Sequence, residues 1–159
     1  LTTIAYDGES LAADSQETSE TEAGGATKHV CAKLFRKRVG EGRKAYDVII
    51  ATAGETFPGM VFVDWYGSGK DIPRVLIDHD PDFTVLILTP HGLLEADKYC
   101  RPIERTEKFY AIGSGRKEAL AAMACGKSAA DAVRIAARFD NYTGGRVITM
   151  KLDDNGKGK

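Results

Sequence analysis

The sequence predicts an α+β fold: a four-layer αββα sandwich with two antiparallel sheets packed face to face and helices on both outer sides. Three observations predict it. Asp7-Gly8 separates two short β-like runs, and both residues of that pair accept the positive φ that closes a hairpin. Strands and helices fall into separate blocks, whereas a parallel sheet would alternate them. Near the C-terminus two consecutive helical stretches carry apolar faces that need a sheet to cover. At 159 residues the chain suits a single domain spanning 1–159, with its core over about 2–152 and a polar tail over 153–159.

Residues 2–6 (TTIAY) and 9–13 (ESLAA) form the first hairpin. Residues 15–28 are polar, acidic and glycine-containing, and read as a loop. VCAKLF (30–35) alternates as a strand does. The basic run 36–44 reads as a turn with a solvated flank, and DVIIATAG (47–54) as a buried strand. In 55–67, Pro58 suits a first helical turn, and Phe57, Val61, Phe62 and Trp65 recur at helical spacing. The following stretch, to Asp82, is loop-rich. Strands are predicted at 83–90 and 93–100, joined by a turn at His91-Gly92, and at 110–115, where YAIGSG ends in a glycine-rich turn. Ala119, Leu120, Met123 and Ala124 make the face of the next helix, which Gly126 stops. Ser128 with Asp131 opens another, faced by Ala132, Val133, Ile135, Ala136 and Phe139. Gly144-Gly145 ends it, and RVITMKL (146–152) is the last strand.

Composition narrows function. Hydrophobic residues at 43% and charged residues at 28% describe an ordinary globular core. Lys+Arg total 22 and Asp+Glu 23, so no global field points to nucleic acid or an anionic membrane. No window approaches the ~18 apolar residues of a membrane span, and no basic-then-apolar leader opens the sequence. The expected location is cytoplasmic. Cys31, Cys100 and Cys125 are odd in number and widely spaced, the pattern of reduced thiols rather than a disulfide or zinc set. Asp78-His79-Asp80 reads as a turn, so no metal or other cofactor is expected. GSGK (67–70) fails as a phosphate loop, because Asp64 holds the first-glycine position and Asp71 follows the lysine. Gly126-Lys127-Ser128 fails likewise, with Ala121 at the first-glycine position.

The informative polar residues are distributed. Thr2 and Thr3 open the first strand, Asp14 closes LAAD, and Lys33 sits inside the apolar VCAKLF. A lysine there is costly unless paired or on the sheet's outer face. Ser114 lies between a strand and a helix, and Asp140 and Thr143 lie in FDNYTGG at a helix end. In this order TTIAYDG, LAAD, Lys33 followed by LFRK, YAIGSG and FDNYTGG resemble the proteasome β-subunit family and its simpler bacterial relative, the HslV-type peptidase, both N-terminal-threonine (Ntn) hydrolases. The likeness runs from Thr2 to about Leu152, and small proteasome-like proteins of bacteria and phages look similar overall.

The resemblance implies a threonine-type endopeptidase that cuts polypeptides through an acyl-enzyme on Thr2. The base would be the α-amine of Thr2, whose ordinary pKa of about 8 suits the task. Lys33 would disfavour protonation of that amine, and Asp14 would hold Lys33. Ser114 and Asp140 would orient the amine, with Thr143 supporting Asp140. A backbone N–H near Ala53 would supply the oxyanion hole. Ala51 and Ala53 stand where the family often has glycine, which would narrow the substrate pocket. The same likeness implies homo-oligomeric stacked rings and an AAA+ unfoldase partner. Two departures stand out. Leu1 precedes the nucleophile, so it, or a Met initiated at that codon, has to be removed. The segment between Trp65 and Phe83 is short, so the second outer helix is expected to be reduced. The alternatives are an inactive ring subunit that retains Leu1, or a small-molecule amidase on the same fold.

Overall fold

The computed structural model describes residues 2–20 and 24–153. Leu1 and the tail beyond Asp153 therefore lie outside the described residues. Strands β1 (Thr3–Tyr6) and β2 (Ser10–Ala13) form the expected hairpin. Asp7 closes it by accepting the N–H groups of Glu9 (3.1 Å) and Ser10 (2.9 Å), and Gly8 takes φ +101°. Strand β10 (Tyr110–Gly113) pairs with the outer edge of β1, and β11 (Ile148–Lys151) with that of β2. The result is a four-stranded antiparallel sheet ordered β10-β1-β2-β11.

The second sheet has five antiparallel strands in sequential order. They are β5 (Leu34–Val39), β6 (Tyr46–Gly54), β7 (Phe83–Thr89), β8 (Gly92–Asp97) and β9 (Ile103–Arg105). The two sheets meet through Ile4, Leu11 and Ile112 on one side and Ile49, Leu86 and Leu93 on the other. Helices α1 (Thr56–Trp65) and α2 (Arg74–Asp78) cover the five-stranded sheet. Helices α3 (Arg116–Ala124) and α4 (Ala129–Ala136) cover the four-stranded one. The α+β layering is as predicted, and the second outer helix is reduced to the five residues of α2.

Several local expectations are corrected. Residues 15–28 are not a loop: β3 (Gln16–Glu20) and β4 (Ala26–Val30) pair there as a separate hairpin. The strand expected at 30–35 is divided between the end of β4 and the start of β5. The basic residues 36–38 belong to β5 rather than to a turn, projecting from a strand whose ends, Leu34 and Val39, are buried. Lys37 Nζ donates to Val63 O and Asp64 O (2.7 Å each) and so caps the C-terminal end of α1. β8 stops at Asp97, three residues short of Cys100. Phe57 and Phe139, expected on apolar helix faces, are 67% and 71% exposed. Ala124 is exposed as well, and Ala122 is buried on that helix instead. α4 ends at Ala136, after which Asp140 N–H turns back to Ala136 O (2.8 Å) and Phe139 faces out.

Candidate active site

Thr2 lies one residue before β1. Its carbonyl accepts Ser114 N–H at 2.8 Å, which ties the start of β1 to the end of β10. Gly113 makes this approach fit. It takes φ +95°, and a Cβ there would lie 2.0 Å from Thr2 O. Asp14 follows β2 and donates its N–H to Thr3 O (3.3 Å). Lys33 immediately precedes β5 and accepts Thr52 N–H on its carbonyl (3.0 Å). Three strand ends from two sheets thus converge.

Their side chains meet. Lys33 Nζ donates to Thr2 Oγ1, to Asp14 Oδ1 (3.0 Å) and to Gln16 O (2.5 Å), so its three protons are used. Thr2 Oγ1 also donates to Asp14 Oδ1. Asp14 further accepts Thr3 N–H (3.0 Å) on that oxygen, and Gln16 N–H (3.2 Å) and Gly144 N–H (3.0 Å) on the other. Asp14 is 1% exposed and Lys33 9%, so the lysine is paired rather than solvated. Burial pushes the Lys33 ammonium below its ordinary pKa, and Asp14 acts in the opposite sense.

A second network holds the other side of Thr2. Ser114 Oγ donates to Asp140 Oδ2 (2.5 Å) and lies 3.2 Å from Thr2 O. Thr143 Oγ1 donates to the same carboxylate oxygen (2.5 Å). Its proton being used there, Thr143 accepts from Thr3 Oγ1 at 2.5 Å, and Thr3 in turn accepts Gly115 N–H at 3.1 Å. Burial raises the pKa of Asp140, but the hydrogen bonds from Ser114, Thr143 and Tyr142 N–H outweigh it and hold the carboxyl below its usual range. Thr3, Gln16 and the backbone of Gly115 and Gly144 complete these networks. Gln16 and the two glycine backbones carry no signal of this in the sequence; Thr3 stands at the start of the first strand, where strand parity points it away from Thr2.

A cavity of about 390 Å³ opens beside Thr2 and Lys33, walled by β3, by residues 31–33, by the end of β6 and by the start of α1. Ala53 and Gly54 line it. Ala51 does not; it packs with Ile49 in the core between the sheets and is fully buried. The oxyanion donor is expected near Ala53, and strand geometry decides which N–H there faces the cavity. N–H groups alternate sides along a strand, and Thr52 N–H points to Lys33 O. Gly54 N–H therefore leaves on the cavity side and Ala53 N–H on the β7 side. Glycine is required at 54: φ is +99° and a Cβ would meet Asp82 O at 2.4 Å. Among the described residues, no group of three or more His, Cys, Asp or Glu side chains is placed to hold a metal ion. No helix among them is long and apolar enough to cross a membrane.

No family model matches the chain, and no curated protein matches it in sequence. Solved structures do match it in fold. The eukaryotic HslV from Trypanosoma brucei superposes with a TM-score of 0.65 at 18% identity, covering 96% of this chain and 98% of that one. The BPH protein of Thiobacillus denitrificans, in complex with epoxomicin, gives 0.61 at 22% identity over 96% and 98% of the two chains. Anbu, the ancestral β-subunit, from Yersinia bercovieri gives 0.65 at 11% identity over 99% and 89%. The chain therefore has the proteasome β-like Ntn-hydrolase fold across nearly its whole length.

Proposed function

We propose that the chain is a threonine-type endopeptidase with Thr2 as its N-terminal nucleophile in the mature form. The observation that carries this reading is Thr2 Oγ1 held between the Lys33 ammonium and the Asp14 carboxylate at the wall of an open cavity. Once the Leu1–Thr2 bond is cut, Thr2 carries a free amine. That amine takes the hydroxyl proton as Oγ1 attacks the substrate carbonyl carbon. Lys33 stabilises the developing alkoxide and disfavours a second positive charge on the amine. Gly54 N–H is the donor for the oxyanion. The amine then gives its proton to the leaving nitrogen as the peptide C–N bond breaks, leaving an ester on Thr2. Water, deprotonated by the same amine, cleaves the ester and restores the threonine. Asp14 keeps Lys33 in place; Ser114, Asp140 and Thr143 fix the backbone that carries the amine. Stacked homo-oligomeric rings fed by an AAA+ unfoldase, in the cytoplasm, belong to the same reading. The epoxomicin complex of the T. denitrificans fold neighbour suggests the probe.

The test has two parts. Intact mass of the protein expressed from its native start codon should show a species beginning at Thr2. That species should be labelled by a threonine-directed epoxyketone and should cut peptides. Thr2→Ala and Lys33→Ala should each lose at least about a thousandfold in turnover while keeping the fold. Substantial turnover by either variant removes the mechanism. A species that keeps a residue ahead of Thr2 and escapes labelling is instead the inactive ring subunit, and turnover of small amides in preference to peptides makes it an amidase.

A further inference from the structure

The cavity beside Thr2 carries unbalanced charge. Its acidic lining residues are Glu17 on β3, Glu55 at the start of α1, and Asp82 before β7. Among the described residues its one basic lining residue is Lys33, whose three protons are already given to Thr2, Asp14 and Gln16 O. Glu17 is half-buried. One of its oxygens accepts Thr56 Oγ1 at 2.5 Å, and no donor among the described residues reaches the other. Glu55 is exposed at the rim, where one oxygen accepts Asp82 N–H at 2.8 Å. The remaining wall is small: Thr18, Cys31, Ala32, Thr52 and Ala53 leave space rather than an apolar plug. Burial and the nearby Glu17 charge both raise the Cys31 thiol pKa, with Lys33 acting in the opposite sense.

We infer that this cavity selects a cationic side chain, lysine or arginine, on the acyl side of the scissile bond, with Glu17 as the residue that determines the preference. The inference rests on Thr2 being the nucleophile, because that makes the cavity the seat of the residue whose carbonyl is attacked. A cation entering meets a half-buried carboxylate with an uncommitted oxygen and two further carboxylates at the rim. An acidic side chain meets the same groups as repulsion, and an apolar one leaves the second oxygen of Glu17 desolvated without a partner.

The test separates binding from catalysis. Blocked tripeptide amides ending in arginine, lysine, leucine or glutamate are titrated calorimetrically against the Thr2→Ala protein. Arginine and lysine ligands should bind at least about tenfold more tightly than leucine, with glutamate weakest. Adding Glu17→Gln should cut the arginine-to-leucine ratio below about threefold, Glu17→Asp should restore part of it, and Glu55→Gln should change it less, as befits a rim charge. Circular dichroism checks that each variant is folded. Equal binding across the set, a leucine preference, no binding at all, or a ratio untouched by Glu17→Gln overturns the inference. Cationic preference in binding without peptide turnover by the unsubstituted chain overturns the peptidase reading, and with it the place of the bound residue beside a scissile bond, while the cavity's preference for a cation stands.

Discussion

The two outer layers of the sandwich are built from different residues. Among the described residues, eight of the ten buried side chains in the layer under α3 and α4 are alanine. Of the eleven under α1 and α2 one is alanine, and Phe62, Phe83, Leu76, Ile50 and Ile87 fill that space. The alanine layer lets α4 lie close to β1, which brings the turn after α4, with Asp140 and Thr143, onto the hydroxyls of Ser114 and Thr3. The aromatic layer gains area and ring contacts, with Phe62 5.5 Å from Trp65 and 6.0 Å from Phe83. One layer positions, and the other stabilises. They should fail differently: the first by enlargement, the second by truncation.

The largest effect on stability is expected from Phe62→Ala, which removes a fully buried ring and should cost about 3–5 kcal/mol in denaturant titration. Epoxyketone labelling per folded molecule should stay near that of the parent; a collapse of labelling among molecules still folded would erase the distinction between the layers. Gly115→Ala should cost less stability, about 1–3 kcal/mol, but strike the site. Its new Cβ would fall 2.3 Å from Thr3 Oγ1 and 3.0 Å from the Ala136 Cβ. Labelling should therefore drop by more than the loss of folded protein explains, and unchanged labelling would show that the alanine layer has slack.

The smallest effect sharpens the comparison at a hinge between hairpin and helix. Asp7 Oδ2 accepts Ala129 N–H at 2.9 Å, joining the first hairpin to the start of α4. Burial raises its pKa, but the N–H groups of Ala129, Ser10 and Glu9 prevail and hold it below the usual carboxylate range. Asp7→Ala should cost about 1 kcal/mol at neutral pH. Because the folded-state pKa is depressed, this contribution is complete above the ordinary carboxylate pKa and is lost as pH falls through the folded value. Stability curves of parent and variant should thus be parallel near neutrality and converge only below pH of about 4. Convergence at higher pH would assign the effect to another group.

Legibility in the sequence followed burial. The Asp7-Gly8 hairpin, the β-branched β6 and the existence of α3 and α4 were carried by local signals, and these elements form there, although the helix faces differ at Ala124 and Phe139. β3 and β4 were not legible. QETSE and ATKHV offer no alternation of apolar and polar residues, and their order comes from pairing with each other and from backbone contacts such as Cys31 N–H to Ser15 O (2.8 Å). The basic start of β5 misled because its charges point outward or, at Lys37, to a helix end that only the tertiary fold brings near. Within the site, the polar residues that looked out of place in their local context, Lys33 above all, are the ones that converge. Which N–H near Ala53 faces the cavity, and which way Thr3 points, depend on strand parity, which one residue of register decides.

Under the proposed function, that parity bears on where the chain would be trimmed. Thr2 and Thr3 are adjacent and chemically identical, yet Thr2 borders the cavity while Thr3 is fully buried behind it, its hydroxyl engaged by Thr143 and Gly115. A processing cut one bond too far would again expose a threonine at the chain end, and that molecule would be inert. The duplicated residue is no spare: the sheet gives the two hydroxyls opposite surroundings.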